Sequence, residues 1–198
     1  MTAARYALAV PATLTREIRK SRFVVHAARV ASPADALAFA TAVADADATH
    51  NCWAYRIGQQ YRFNDAGEPA GTAGKPILQA IDTQYCDHTI VVVTRWFGGI
   101  KLGVGGLARA YGGCAAECLR LAAKTELIEL ATVEFALPFS VVPMLHARLA
   151  EFAATKLGER FGGDGVDLRL ALPVQRVAEL RALLADMTRG RCVLRVID

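Results

Sequence analysis

The chain has 198 residues, 54% hydrophobic and 21% charged, with a net charge of +4, so it is long enough for one large folded domain or two small ones and too hydrophobic for a disordered chain. Its longest run without a formal charge, Phe135 to Ala147, holds Pro138 and Pro143 and is far shorter than the roughly 20 apolar residues of a spanning helix; with only Arg5 before an early Pro11, no signal peptide is expected and the chain reads as cytoplasmic. Five cysteines without a C-x-x-C pair and four scattered histidines exclude a disulfide framework and a structural zinc site, and no cofactor is expected.

Tyr6 to Val10 and Phe23 to Val30 are predicted as strands, joined by a charged connection from Thr15 to Arg22. Ser32-Pro33-Ala34-Asp35 opens a helix to about Ala46, with Ser32 at the N-cap, Pro33 in the first turn and an apolar stripe of Leu37, Ala40, Val43 and Ala44. Residues 50–57 and 60–64 form a hairpin turning at Gly58-Gln59; the alternation of Trp53, Tyr55, Ile57, Tyr61 and Phe63 places these side chains in the core, with Arg56 and Arg62 facing away from them. After a turn-rich stretch, Lys75-Pro76 leads into a helix from Ile77 to Gln84. Thr89 to Thr94 is a β-branched run typical of a strand buried on both faces, and a helix follows from about Leu107 to Lys124. Beyond Thr132 the order is strand (Val133 to Leu137), helix (Val141 to Thr155), two strands around Gly162 to Gly165, helix (Val174 to Met187) and strand (Cys192 to Ile197). That β-α-β-β-α-β order fits a ferredoxin-like domain and sets an expected division into residues 1–132 and 133–198.

Glycine is the most informative residue type: 11 of the 16 lie between Gly58 and Gly113, where the backbone needs unusual dihedrals or close approach. The first glycine loop runs from Asn64 to Pro76. Its likeness to a P-loop fails, because Pro69 stands where the first glycine belongs and Pro76 where the Mg-binding hydroxyl belongs. The second loop, Arg95 to Gly106, contains Gly103-Val104-Gly105-Gly106-Leu107-Ala108, which satisfies G-x-G-x-x-A, but eight residues separate it from Thr94 and the expected acid falls near Glu126, so a dinucleotide fold is rejected. What remains is two glycine-lined helix starts carrying cations, an arrangement suited to anions such as phosphates. The candidate anion or RNA contacts are Arg56, Arg62, Gly71, Gly74, Lys75, Arg95, Gly98, Gly99, Lys101, Gly103 and Arg109, with Trp96 and Phe97 as a recognition edge. A secondary site comprises His50 and Cys52, two apart on one strand, with Asp65 and Glu68 in the first loop.

The segments Glu17 to Phe23, Thr49 to Arg56, Gly67-Glu68-Pro69 with Gly71 to Gly74, and Arg95 to Tyr111 together resemble the YigZ/IMPACT family. The resemblance implies an α+β protein of two domains: an N-terminal IMPACT domain with the left-handed β-α-β fold of domain four of elongation factor G, and a ferredoxin-like C-terminal domain similar to that factor's last domain. The resemblance implies that eukaryotic members carry an additional N-terminal partner-binding domain and restrain a translational stress kinase by competing for its activator; that domain is not expected among these residues, so the kinase role is not carried over. The family's two adjacent acids before Gly-Glu-Pro are here Asp65 and Ala66, which weakens metal or proton-transfer chemistry, and the resemblance supplies no catalytic residue. The expected function is a non-enzymatic, translation-associated regulatory or binding protein that contacts RNA or a ribosomal partner through the glycine-loop face. The alternative is an enzyme or sensor for a small phosphorylated or anionic ligand at the same loops. No membrane partner is expected, and the oligomeric state is left open.

Overall fold

The computed structural model describes residues 4–197 and groups the chain into two units, Met1–Leu127 and Ile128–Asp198. The first contains β1 (Arg5–Leu8), β2 (Ala12–Ile18), β3 (Ser21–Arg29), α1 (Pro33–Val43), β4 (His50–Ile57), β5 (Gln60–Asn64), α2 (Gly74–Thr83), β6 (Thr89–Trp96), α3 (Val104–Leu121) and β7 (Lys124–Leu127). Its five-stranded sheet has the order β2-β3-β6-β4-β5, antiparallel throughout, while β1 pairs with β7 in a separate ribbon. The α1 start follows its capping signal: Ser32 Oγ accepts the Asp35 amide at 3.1 Å.

The central strand β6 is buried from Thr89 to Arg95 because both faces are covered. Ile90 and Val92 pack with Ala36 and Ala40 of α1, whereas Val91 and Val93 join Ile77 and Ile81 of α2 and Leu107, Tyr111 and Leu119 of α3. The buried side of α1 therefore runs through Ala36 and Ala40, with Phe39 and Val43 alongside, and the expected inward Leu37 is exposed.

The expected connection at Thr15 to Arg22 is instead a hairpin. Arg19 and Lys20 both have positive φ, 47° and 64°, so they form a two-residue turn whose twist matches the flanking strands. Along β2, Ala12, Leu14 and Ile18 pack onto the core, an alternation hidden by the charges between them.

The register brings the loops of interest to one end of this sheet. Phe23 near the start of β3 and His50 at the start of β4 both pair with Arg95 near the end of β6, and β5 ends at Asn64 opposite Trp53. The Arg19-Lys20 turn, the loop leaving β5 and the loop leaving β6 thus share an end, and the latter two lead into the first turns of α2 and α3.

The second unit contains β8 (Leu130–Pro138), α4 (Val142–Arg148), β9 (Thr155–Phe161), β10 (Gly165–Pro173), α5 (Val177–Thr188) and β11 (Arg195–Ile197). Its sheet order, β11-β8-β10-β9, is antiparallel and is the ferredoxin-like arrangement. The helix expected over 141–155 is shorter: a 3-10 turn at Leu149–Phe152 follows α4, and Ala153 at φ 48° ends it. Val133, Phe135, Leu168 and Leu170 pack against Leu145, Leu180 and Leu184 on one face; the other carries Arg169–Glu134 and Arg160–Asp167 pairs.

Candidate functional site

The first glycine loop is closed around its own carboxylate. Asp65 Oδ2 accepts the Gly71 amide at 2.8 Å, and Oδ1 accepts the amides of Ala73 at 2.9 Å and Gly74 at 2.8 Å. Burial alone pushes the Asp65 carboxyl up, but the three amides outweigh it and hold the group below its ordinary range. The loop amide of Gly71, the N-cap amide of Ala73 and the Gly74 amide that opens α2 are consumed inside the protein, which removes Gly71 and Gly74 as contacts for an external anion. Gly74 is required for a different reason: a Cβ there would lie 2.8–2.9 Å from the Asn64 backbone.

Glu68, 8% exposed, anchors a buried polar network. Its Oε1 accepts Nη1 of Arg95 at 2.6 Å and the hydroxyl of Tyr111 at 2.7 Å. Arg95, 5% exposed, also donates from Nη2 to Ser21 Oγ at 3.3 Å, while its Nε has no partner. Tyr111 meets Phe23 edge-on, with ring centroids 5.4 Å apart, and burial raises its phenol far above the ordinary range. Arg95 is therefore occupied inside the fold, which corrects its expected place as a phosphate contact.

The secondary site is divided between structural tasks. His50 Nδ1 donates to the Ala66 carbonyl at 2.8 Å and its Nε2 lies 3.8 Å from Glu68 Oε1. Cys52 is buried, donates to the Asp65 carbonyl at 3.0 Å, and has its thiol pushed up to about 12, chiefly by burial. The histidine and the thiol do not bond to one another, and a protonated thiol facing a carbonyl is not a nucleophile. Among the described residues no group of three or more His, Cys, Asp or Glu side chains is placed to hold a metal.

The expected orientation of Arg56 and Arg62 is reversed. Arg56 lies over the Tyr61 ring at 5.3 Å and Arg62 over Trp53 at 5.9 Å, because Arg56 pairs directly with Tyr61, and Arg62 with Tyr55, across the β4–β5 ladder. Arg56 is further held by Asp82, at 3.0 Å from Nη2 to Oδ2. Tyr55 is buried, but Tyr61 and Phe63, expected in the core, stand on the exposed edge strand β5.

The second loop is open. Gly98 packs so tightly on the β2–β3 turn that a Cβ would lie 1.9 Å from the Lys20 carbonyl oxygen; its amide donates to Ser21 Oγ at 3.3 Å. Gly99 and Gly103 both have positive φ, 86° and 72°, and Gly103 is the N-cap of α3, where no side chain caps the helix. Arg22 stacks 3.8 Å over Trp96 and so covers part of the expected recognition edge, leaving Phe97 the more exposed. Gly105 sits against the Arg109 guanidinium, a Cβ there falling 3.5 Å from Nη1. Lys101 is exposed. Among the described residues, Arg19, Lys20, Arg22, Lys75, Lys101 and Arg109 have no carboxylate partner within ion-pair distance. Arg19, Lys20 and Arg22 escape a reading of the loops alone, although three cations in four residues beside an apolar strand are visible in the sequence.

A helix-covered antiparallel sheet with glycine loops at one end, followed in the chain by a ferredoxin-like unit, is the two-domain α+β class that the comparisons with known proteins identify. The Impact N-terminal domain model matches residues 19–119, and a domain of unknown function, DUF1949, matches residues 135–191. An IMPACT family member encoded in the pol 5′ region of Thermus thermophilus is 47% identical across 88% of this chain and 97% of its own length. The IMPACT family member YigZ of Escherichia coli K12 is 36% identical across 96% of each chain. A crystal structure described as a hypothetical protein superposes with a TM-score of 0.66 at 35% identity, covering 100% of this chain and 99% of that one. The chain belongs to the IMPACT family. Among the described residues, no helix is long and apolar enough to cross a membrane.

Proposed function

We propose that this protein is a non-enzymatic, translation-associated binding protein that grips the phosphate backbone of RNA at the sheet end formed by the Arg19-Lys20 turn and the second glycine loop. The observation that carries the reading is the pairing of an uncapped α3 N-terminus with cations that lack carboxylate partners. Cations beside the positive end of a helix repel it, yet Lys101 precedes α3 and the Arg109 guanidinium folds back against its first turn. An anion in that place reverses both costs. Arg19 and Lys20 add to the argument, since L-residues in the left-handed region each cost roughly 1–2 kcal/mol, a strain retained at the tip that carries two free charges.

Each phosphate neutralised releases counterions, so affinity falls with salt in proportion to the number of contacts. Fluorescence anisotropy with a structured RNA, titrated between about 50 and 200 mM salt, is expected to give a negative log–log slope in the wild type. Lys20→Ala with Lys101→Ala is expected to make that slope shallower by about 1.4–1.8 for two contacts. Absence of salt-sensitive binding to RNA or to ribosomes overturns the proposal, and an unchanged slope in the double variant removes this face from it.

A further inference from the structure

Tyr61 and Phe63 are the largest misfit between sequence pattern and structure, being 58% and 39% exposed on a strand whose alternation reads as core. They project from one face of the edge strand β5, opposite Arg56 and Ala54 of β4. That face is the one α2 packs on, but α2 buries Ile77, Leu78 and Ile81 over the inner strands and leaves β5 exposed along its length. Residues two apart on a strand stand about 7 Å from each other, roughly twice the 3.4 Å spacing of stacked bases.

The geometry points to a second RNA subsite here, in which Tyr61 and Phe63 stack against unpaired bases of a single strand whose backbone runs on to the glycine-loop face. This inference rests on the reading of that face as an RNA-backbone site. Three features favour nucleic acid as the occupant. The Tyr61 ring is held from one side by the Arg56 guanidinium at 5.3 Å, itself fixed by Asp82, so the platform is ordered before binding; of the acids near this edge, Asp82 is neutralised by Arg56, and Asp65 and Asp87 are engaged by backbone amides. Lys75 is exposed in the first turn of α2, and the preceding Gly74 abuts the Asn64 backbone directly after Phe63; a residue whose cation has no carboxylate partner among the described residues therefore enters α2 next to the end of β5. Phe63 also lies toward the sheet end where the Arg19-Lys20 turn and the second loop emerge, so a backbone leaving the aromatics has positive charge ahead of it. Stacking needs only a π-face and tolerates sequence; Gln60, Arg62 and Asn64, the β5 residues able to read base edges, alternate onto the opposite face from Tyr61 and Phe63.

The test compares a labelled oligoadenylate of about ten nucleotides, within the range one small domain covers, with an RNA duplex of equal length whose bases are already paired. The wild type is expected to bind the single strand at least about 10-fold more tightly. Tyr61→Ala with Phe63→Ala is expected to lose at least about 30-fold for the single strand, leaving duplex affinity and thermal stability nearly unchanged. Tyr61→Trp with Phe63→Trp is expected to restore binding. Lys20→Ala with Lys101→Ala weakens both probes alike. If the alanine pair binds oligoadenylate as the wild type does while the duplex still binds, this inference falls and the backbone-binding reading stands; if neither probe binds the wild type, both fall. If sedimentation shows that the alanine pair turns a dimer into a monomer, the platform is a contact between copies and the inference is overturned.

Discussion

Arg95→Ala tests whether the Glu68 network is a buried structural clamp or part of the binding face. Glu68 sits in the first glycine loop, Arg95 at the end of β6 and Tyr111 on α3, so one carboxylate ties three elements together. With both partners more than nine-tenths buried, removing the guanidinium leaves a carboxylate in a low-dielectric site with Tyr111 as its remaining close donor, a defect that costs about 3–5 kcal/mol. For a unit of this size each kcal/mol moves the midpoint by about 3–5 °C, so the variant is expected to melt about 10–20 °C lower. Both tryptophans, Trp53 and Trp96, lie in the first unit, and their fluorescence reads its transition separately. Glu68→Leu combined with Arg95→Met is expected to recover most of the loss, because an apolar pair leaves no unpaired charge behind. Tyr111→Phe removes a donor to a charged acceptor and is expected to cost about 1.5–3 kcal/mol, and its effect should not add to that of Arg95→Ala because the two share Glu68. A loss below about 1 kcal/mol for Arg95→Ala, the size of a solvated surface pair, refutes the reasoning, as does a double variant no more stable than the single one.

Asp65 makes stability depend on acid in a defined direction. Its folded-state carboxyl lies below the ordinary range, so its contribution is complete above the unfolded value near 4 and is lost as pH falls through the lower folded value. Asp65→Ala is expected to cost about 1–2 kcal/mol at neutral pH and to flatten the decline in unfolding free energy between about pH 5 and pH 3; an equal decline in both proteins contradicts the assignment. The thiols offer an independent check. Cys52, Cys86, Cys114 and Cys118 are buried and Cys192 is half-buried, with Cys52 pushed up to about 12 and Cys114 and Cys118 to about 11, chiefly by burial. A thiol reagent at neutral pH is expected to modify Cys192 first in the native protein and the other four only on unfolding, as mapped by mass spectrometry; rapid native labelling of Cys52 reopens the thiol chemistry that its geometry argues against.

The parts of the fold that were legible in the chain are those whose signals are local. The Ser32 cap, the Gly58 turn and the β-branched run of β6 each need only neighbouring residues to act. The β2–β3 hairpin was not legible, because Arg19 and Lys20 adopt positive φ without the Asn or Gly that normally announces such a turn. Tyr61 and Phe63 failed for a different reason. Alternation says that two side chains share a face, but only the placement of α2 over β4 decides that this face is open at β5. Arg95 failed likewise, since a guanidinium beside glycines reads as surface until Glu68, 27 residues earlier, is brought under it by the pairing of β4 with β6.

The two glycine loops look equivalent when judged by glycines and cations, and the discriminating residue type is the acid. The first loop carries Asp65 and Glu68 within itself, whereas no Asp or Glu occurs between His88 and Ala116, a stretch that spans the second loop and most of α3. A helix start with a carboxylate at hand can satisfy its own amides, and in the structure Asp65 takes those of Ala73 and Gly74 where α2 opens; a helix start without one keeps its positive end for whatever arrives. Glu68 extends the same logic, because by binding Arg95 it withdraws a cation that the face would otherwise present. The charge that reaches solvent at this end of the sheet is therefore set by where the acids are spent, and it falls on Arg19, Lys20, Lys101 and Arg109 beside the uncapped start of α3.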